Sequence, residues 1–302
     1  MISLGARAVK GVLRIATYRY RKNHMSLSRN VKIKDMPYTP PIDFDYKTEI
    51  FGGVKTEILS VKNCCKDKII LHIHGGGAAL GMNLMYRKMA QRYAETGYAV
   101  YSIDYNAGKE KVHPSLLNEC ISAYKGMIKS GIEPQRIIIV GDSMGANLAL
   151  ALCLNLRDRG EELPAAIAAV SPFIDLTASG DSYRKNCYTD PLYSLPKNQS
   201  FEENEKYIRR KTPYCGTSDP KDPYLSPAFG DYSGFPPMLI QCGDCETSES
   251  DSDMLYERAK RAGVKVTLTK YEGMFHDFQY IAPFLKESKK AWNEIYFFIK
   301  AI

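Results

Sequence analysis

The pentapeptide Gly141-Asp142-Ser143-Met144-Gly145 stands between the apolar run Ile137–Val140 and the helix-like run Ala146–Leu150. A β-branched strand, a G-x-S-x-G turn and an apolar helix in that order describe a nucleophile elbow. The flanking glycines let the backbone reverse without a Cβ clash, and the turn pushes the Ser143 hydroxyl clear of the sheet. Few short segments constrain a chain as much. This one calls for a parallel sheet that feeds a helix, and it presents an alcohol to an acyl carbon.

The rest of the chain agrees with such a sheet. From about residue 54, short β-rich runs (Val54–Val61, Lys68–Ile73, Ala99–Ile103, Arg136–Val140, Ala166–Ser171, Pro237–Cys242, Val264–Lys270) lie among helical patterns. The helical patterns are Tyr86–Thr96, Leu116–Ser130, Ala146–Arg157, Ser250–Ala262 and Ser288–Ile299. Strands separated by helices imply βαβ units and a mostly parallel sheet covered on both faces. Thr48–Phe51 and Val54–Val61, around Gly52-Gly53, read as an antiparallel hairpin at its edge. Residues 178–225 break the rhythm: they are polar, rich in Tyr, Pro and Asn, and carry one helix-like stretch, Phe201–Arg209. An insertion of that length predicts a lid or a binding segment.

With 302 residues, 44% hydrophobic and 25% charged, the chain has the composition of an ordinary globular protein and the length for one large core. Its apolar runs are too short to cross a bilayer, and no secretory h-region stands near Met1. The eight cysteines, spread from Cys64 to Cys245, read as reduced thiols in a cytoplasm. Cys242-Gly-Asp-Cys245 has no second pair at zinc-finger spacing, so no metal is expected. The net charge of +7 is local: residues 1–34 hold nine Lys/Arg and no acid, whereas the other 268 hold 32 basic and 34 acidic side chains. Leu4, Ala8, Val12, Ile15 and Ala16 fall at helical spacing in that segment. The expectation is a basic amphipathic helix whose apolar face packs on its own protein, with membrane-surface contact the lesser reading. Charge confined to one segment, without a recognised fold signature, does not support nucleic-acid binding.

His74-Gly75-Gly76-Gly77 directly follows the strand ending at Ile73. Amides at a glycine-rich turn can approach the oxyanion of a tetrahedral intermediate unhindered. Gly75, Gly76 and Gly77, with the amide of Met144 after the nucleophile, are the candidate donors, and His74 braces their loop. The serine needs a base. Of His24, His72, His74, His113 and His276, only His276 follows Ser143, as the order serine, acid, histidine requires. His113, downstream of a strand end, stays a candidate substrate contact. The acid belongs after the strand Pro237–Cys242, and since Asp251 and Asp253 fall on the next helix, Asp244 and Glu246 remain. Residue chemistry leaves these two open.

His74–Gly77, Gly141–Gly145, Ser171-Pro-Phe-Ile-Asp-Leu-Thr177, Asp222-Pro-Tyr-Leu-Ser-Pro227 and Tyr271-Glu-Gly-Met-Phe-His276 occur in this order. The chain thereby resembles the hormone-sensitive-lipase-like (GDXG) branch of the α/β-hydrolases, from about residue 45 to its end. The resemblance implies an α/β-hydrolase fold, a mostly parallel central sheet flanked by helices, with a helical cap made of residues 1–45 and 178–225 on a catalytic domain of residues 46–302. It implies a carboxylesterase acting on short-chain acyl esters, and registering Ala262-Gly263-Val264 puts the triad acid at Glu246 rather than Asp244. Two departures, Ala78 and the run Asp104-Tyr-Asn-Ala-Gly-Lys-Glu110, fall on the pocket wall and loop bracing. The expected partner is a small-molecule ester, with no cofactor, no nucleic acid and a homodimer left open. An amidase, deacetylase or small peptidase on the same triad, or a non-catalytic ligand binder, are the alternatives.

Overall fold

Eight strands, β1 (Phe44–Phe51), β2 (Val54–Val61), β3 (Cys65–Ile73), β4 (Tyr98–Ile103), β5 (Ile137–Asp142), β6 (Ala166–Val170), β7 (Met238–Gly243) and β8 (Val266–Tyr271), form one sheet in a computed structural model. The structure describes residues 2–23, 25, 30, 37–208 and 212–302; His24, Arg29, Lys32, Lys34 and Arg209 lie outside them. The helices are α1 (Leu4–Lys22), α2 (Leu84–Ala94), α3 (Ser115–Lys129), α4 (Met144–Asp158), α5 (Ser182–Lys185), α6 (Phe201–Ile208), α7 (Glu249–Arg261), α8 (Phe278–Ile281) and α9 (Lys286–Lys300).

The strand order is β1-β2-β4-β3-β5-β6-β7-β8. β1 and β2 form the expected antiparallel hairpin, and β2 also runs antiparallel to β4. All other pairings are parallel, joined through helices. β4 pairs with one side of β3 and β5 with the other, so the direction of winding reverses at β3. Such a reversal opens a crevice at the carboxyl ends of neighbouring strands. The strands that end there carry His74–Gly77 and Ser143.

Burial on both faces follows from the alternation of the strands. Ile69, Leu71 and Ile73 of β3 and Ile137 and Ile139 of β5 pack with α3, α4 and α7. Ile70, Ile138 and Val140 point the other way, to α2 and α9. Because a strand side chain alternates between faces, one apolar run can serve two cores.

Helix α1 corrects one expectation. It does pack on its own protein, but through Ala6, Val9 and Leu13, which join Leu192, Phe275 and Leu285. The predicted apolar face points outward instead: Leu4 is 82%, Val12 65% and Ile15 81% exposed. The reason is polar. The surface under α1 presents backbone carbonyls, and the inner face of the helix supplies the donors. Lys10 Nζ donates to Gly273 O, Arg14 Nη2 to Tyr188 O and Thr189 O, Thr17 Oγ1 to Pro191 O, and Arg21 Nη1 to Leu195 O. Buried carbonyls without partners are costly, so they decide the rotation of this helix, whose inner face still offers Ala6, Val9 and Leu13 for packing.

Candidate active site

Ser143 lies at the end of β5 with φ +52° and ψ −120°, a strained conformation for a residue with a side chain. Its neighbours hold it there. A Cβ on Gly145 would come within 2.0 Å of the Ile73 carbonyl oxygen, so the elbow can press against the end of β3 only with glycine at that position. The serine hydroxyl is thereby set over the sheet edge, beside the loop that leaves β3.

His276 reaches it from the loop after β8. Its Nε2 is 2.9 Å from Ser143 Oγ and its Nδ1 is 3.0 Å from Glu246 Oε2. Glu246, fully buried after β7, is held from behind: its Oε1 accepts from Ser171 Oγ at 2.8 Å and from the Gly243 amide at 2.5 Å. Asp244 faces elsewhere, its Oδ1 accepting the Gly273 amide at 2.7 Å and tying the two loops together. Asp251 and Asp253 sit on α7, where Asp251 accepts the amides of Ile174 and Asp175 and Asp253 pairs with Lys270.

A family model described as the alpha/beta hydrolase fold matches residues 70–280. The chain belongs to the alpha/beta hydrolases. Among its relatives, an esterase of Acinetobacter venetianus is 36% identical over 247 residues, covering 81% of this chain and 78% of that protein. An acetyl-hydrolase of Streptomyces hygroscopicus is 31% identical over 263 residues, covering 83% and 85%. The crystal structure of an esterase from the bacterial hormone-sensitive lipase family superposes with a TM-score of 0.82 at 30% identity, covering 100% of this chain and 99% of the other. The chain therefore falls in the hormone-sensitive-lipase-like branch.

In this hydrolase the glycine loop is braced from both sides. His74 is stacked between Tyr86 and Tyr105, with ring centroids 4.4 and 4.2 Å away. Burial lowers its pKa to about 4, so the imidazole is neutral, and its Nδ1 lies 3.0 Å from Gly75 O. Tyr105 donates its hydroxyl to the carbonyls of His74 and Gly75, at 2.6 and 3.0 Å. The Gly75 amide is engaged, donating to Asp142 Oδ2 at 3.1 Å. The amides of Gly76, Gly77 and Met144 donate to no other group among the described residues.

His72 and His113 make their contacts elsewhere. His72 is buried inside β3, 3.0 Å from Ser102 Oγ, and burial drops its pKa to about 3. His113 lies 3.8 Å from Asp222 and edge-on to Tyr214. His24 is outside the described residues.

Three acidic side chains and one ring near His276 escaped the sequence reading. Asp277 is next in the chain, in the left-handed region at φ +53°, and its Oδ2 is 3.3 Å from His276 Nε2. Asp142 is buried beneath the serine, and Asp190 is buried within the 178–225 segment. Tyr193 from that segment sits edge-on to the imidazole at 5.1 Å. Burial by itself lowers the His276 pKa, but the carboxylates of Asp277, Glu246 and Asp190 outweigh it and hold the imidazolium form well above its usual range. Burial likewise raises Asp142, and the nearby Asp277 adds to the rise. A local signal existed only for Asp277, since an acid beside a candidate base is visible in the sequence. Asp190 and Tyr193 come from an irregular segment whose path has no periodicity to read.

The 178–225 segment also clamps the acid-bearing loop. Asn186 Nδ2 donates to the carbonyls of Asp244 and Glu246 at 2.9 and 2.8 Å, and Thr189 Oγ1 donates to Cys245 O at 2.8 Å. Helix α1 is fixed to the same segment through Arg14 and Thr17. No helix among the described residues is long and apolar enough to cross a membrane.

Proposed function

We propose that this hydrolase is a serine carboxylesterase that cleaves short-chain acyl esters through an acyl-enzyme carried on Ser143. Hydrolysis of carboxylic esters is the activity of the branch to which the chain belongs, and one relative is named an acetyl-hydrolase. The observation that carries the finer reading is the hydrogen-bonded line Ser143 Oγ–His276 Nε2–His276 Nδ1–Glu246 Oε2 at 2.9 and 3.0 Å.

In the first half-reaction Ser143 Oγ attacks the acyl carbon while His276 Nε2 takes the hydroxyl proton. The carbonyl π-electrons move to oxygen, and the oxyanion accepts from the amides of Gly76, Gly77 and Met144. Each such donor contributes about 3–4 kcal/mol to the barrier reduction. Gly75, whose amide is engaged by Asp142, acts instead by letting the loop lie close to the elbow. The imidazolium then protonates the leaving alcohol. In the second half-reaction His276 takes a proton from water, the hydroxide attacks the acyl-enzyme, and Ser143 leaves with that proton. Glu246 holds Nδ1–H throughout and stabilises the charged ring.

Helix α1 and residues 178–225 form the cap in this reading, supported by their contacts with each other and by Tyr193 over the imidazole. The test is a series of p-nitrophenyl esters together with fluorophosphonate labelling. The expected optimum lies between acetate and butyrate, with labelling abolished in Ser143→Ala. An optimum at decanoate, or undiminished labelling in the alanine variant, would overturn the assignment.

A further inference from the structure

Among the described residues nothing covers the outward face of α1, and its composition is ordered along its length. Leu4, Ala8, Gly11, Val12, Ile15 and Ala16 occupy it over the first two-thirds of the helix, all exposed. Arg19 and Lys22 continue the same face at its C-terminal end, and Arg7 stands on its flank, also exposed. Phe284, 66% exposed, is next in the chain to Leu285, which packs with Ala6 near the helix start. Lone exposed apolar residues are ordinary, but a continuous stripe of them on one helix is not.

Charge indicates what covers the stripe. Along α1 itself Arg7, Arg19 and Lys22 are exposed, Lys10, Arg14 and Arg21 are turned inward, and the helix holds no acid. The acid nearest to α1 in its hydrogen bonding, Glu287, is turned inward to the Ser3 amide and hydroxyl, at 2.9 and 3.0 Å. A second copy docked about a twofold axis would gather both sets of Arg7, Arg19 and Lys22 into one interface with no acid of α1 to offset them, which like-charge repulsion opposes. An anionic lipid surface meets both demands, since headgroups take the cations while the acyl boundary takes Leu4, Val12 and Ile15.

We propose that the outer face of α1 docks this hydrolase on anionic membrane surfaces, the helix lying in the plane of the interface. The inner face is then a rigid coupling to the site. Lys10 grips the Gly273 carbonyl, three residues before His276, and Arg14 and Thr17 grip carbonyls at 188–191, next to Tyr193. A helix docked on a membrane is thereby tied to the loops that carry His276 and Tyr193.

The test is sedimentation of the full chain with vesicles of phosphatidylcholine alone, or of phosphatidylcholine and phosphatidylglycerol in equal parts. Partition is the readout, independent of whether the chain is an esterase. Binding is expected to the anionic vesicles, weakening with added salt. Leu4→Ser/Val12→Ser/Ile15→Ser is expected to lower the partition coefficient at least about tenfold. Arg7→Gln/Arg19→Gln/Lys22→Gln is expected to lower it by about fivefold per cation removed. Hydrolysis of p-nitrophenyl acetate in solution, unchanged in both variants, verifies that they are folded. No binding to anionic vesicles, equal binding to both vesicle types, or serine variants that partition like the parent would each overturn the proposal. So would a dimer in analytical ultracentrifugation that the serine variant dissociates while neither protein binds vesicles.

Discussion

Replacing Asp277 by asparagine should move the pH dependence of catalysis toward acid. In the parent, the Asp277 carboxylate lies 3.3 Å from His276 Nε2, the nitrogen that in the proposed mechanism accepts the serine proton. An anion there stabilises the imidazolium and raises the pH at which the base form appears. Coulomb's law at that separation gives about 1.3 kcal/mol in a water-like dielectric and about 5 kcal/mol at an effective dielectric of 20. At 1.36 kcal/mol per pH unit the smaller figure is about 1 unit, and shifts of about 1–3 units are typical for such neighbours. Asparagine is suited to the position. It is nearly isosteric, tolerates the left-handed φ of +53°, and keeps the backbone amide that donates to Ser171 Oγ at 3.0 Å. The assay is kcat/KM for p-nitrophenyl acetate across the pH range, corrected for spontaneous hydrolysis. Its acidic limb reports the free-enzyme base. The midpoint of that limb should fall by about 1 unit or more. A midpoint that stays put or rises would refute the argument that Asp277 acts on the imidazole through charge.

Glu246→Gln leaves Nδ1–H without its carboxylate and should lower kcat by about 10³–10⁴-fold, whereas Asp244→Asn, at a side chain that accepts the Gly273 amide, should cost under about tenfold; steady-state kinetics of the pair separates the two acids. Tyr105→Phe strips a donor from the carbonyls of His74 and Gly75, so the loosened glycine loop should lose about tenfold in kcat with KM little changed. Gly145→Ala forces a Cβ to within 2.0 Å of Ile73 O, and calorimetry should find it destabilised by about 3 kcal/mol or more.

Much of this architecture could be read in advance because its signals are local. The alternation of Ile137–Val140, with both parities apolar, announces a strand buried on two faces, and the two faces indeed serve separate cores. The elbow and the glycine loop follow from backbone geometry within a few residues. Boundaries were less legible. Helix α2 begins at Leu84, ahead of the expected Tyr86, because Asn83 caps it by accepting the Met85 amide at 2.9 Å. The early strand extends back to Phe44 through pairing with Val61, a partner that Thr48–Phe51 alone does not reveal.

The sequence alone indicated which residues could form strands, which serine would stand on a sharp turn at a strand end, and which histidine follows it, since these depend on periodicity, turn chemistry and chain order. Residue chemistry alone left Glu246 and Asp244 open, the family register favoured Glu246, and the tertiary structure gave these two carboxylates of one loop different partners. That choice rests on which of them meets the His276 ring and which meets the Gly273 amide. Tertiary structure likewise set the rotation of α1. An amphipathic pattern says how a helix is divided but not what surface it will meet, and here that surface is a row of carbonyl oxygens. Satisfying them turned Lys10, Arg14, Thr17 and Arg21 inward and left Leu4, Val12 and Ile15 facing out.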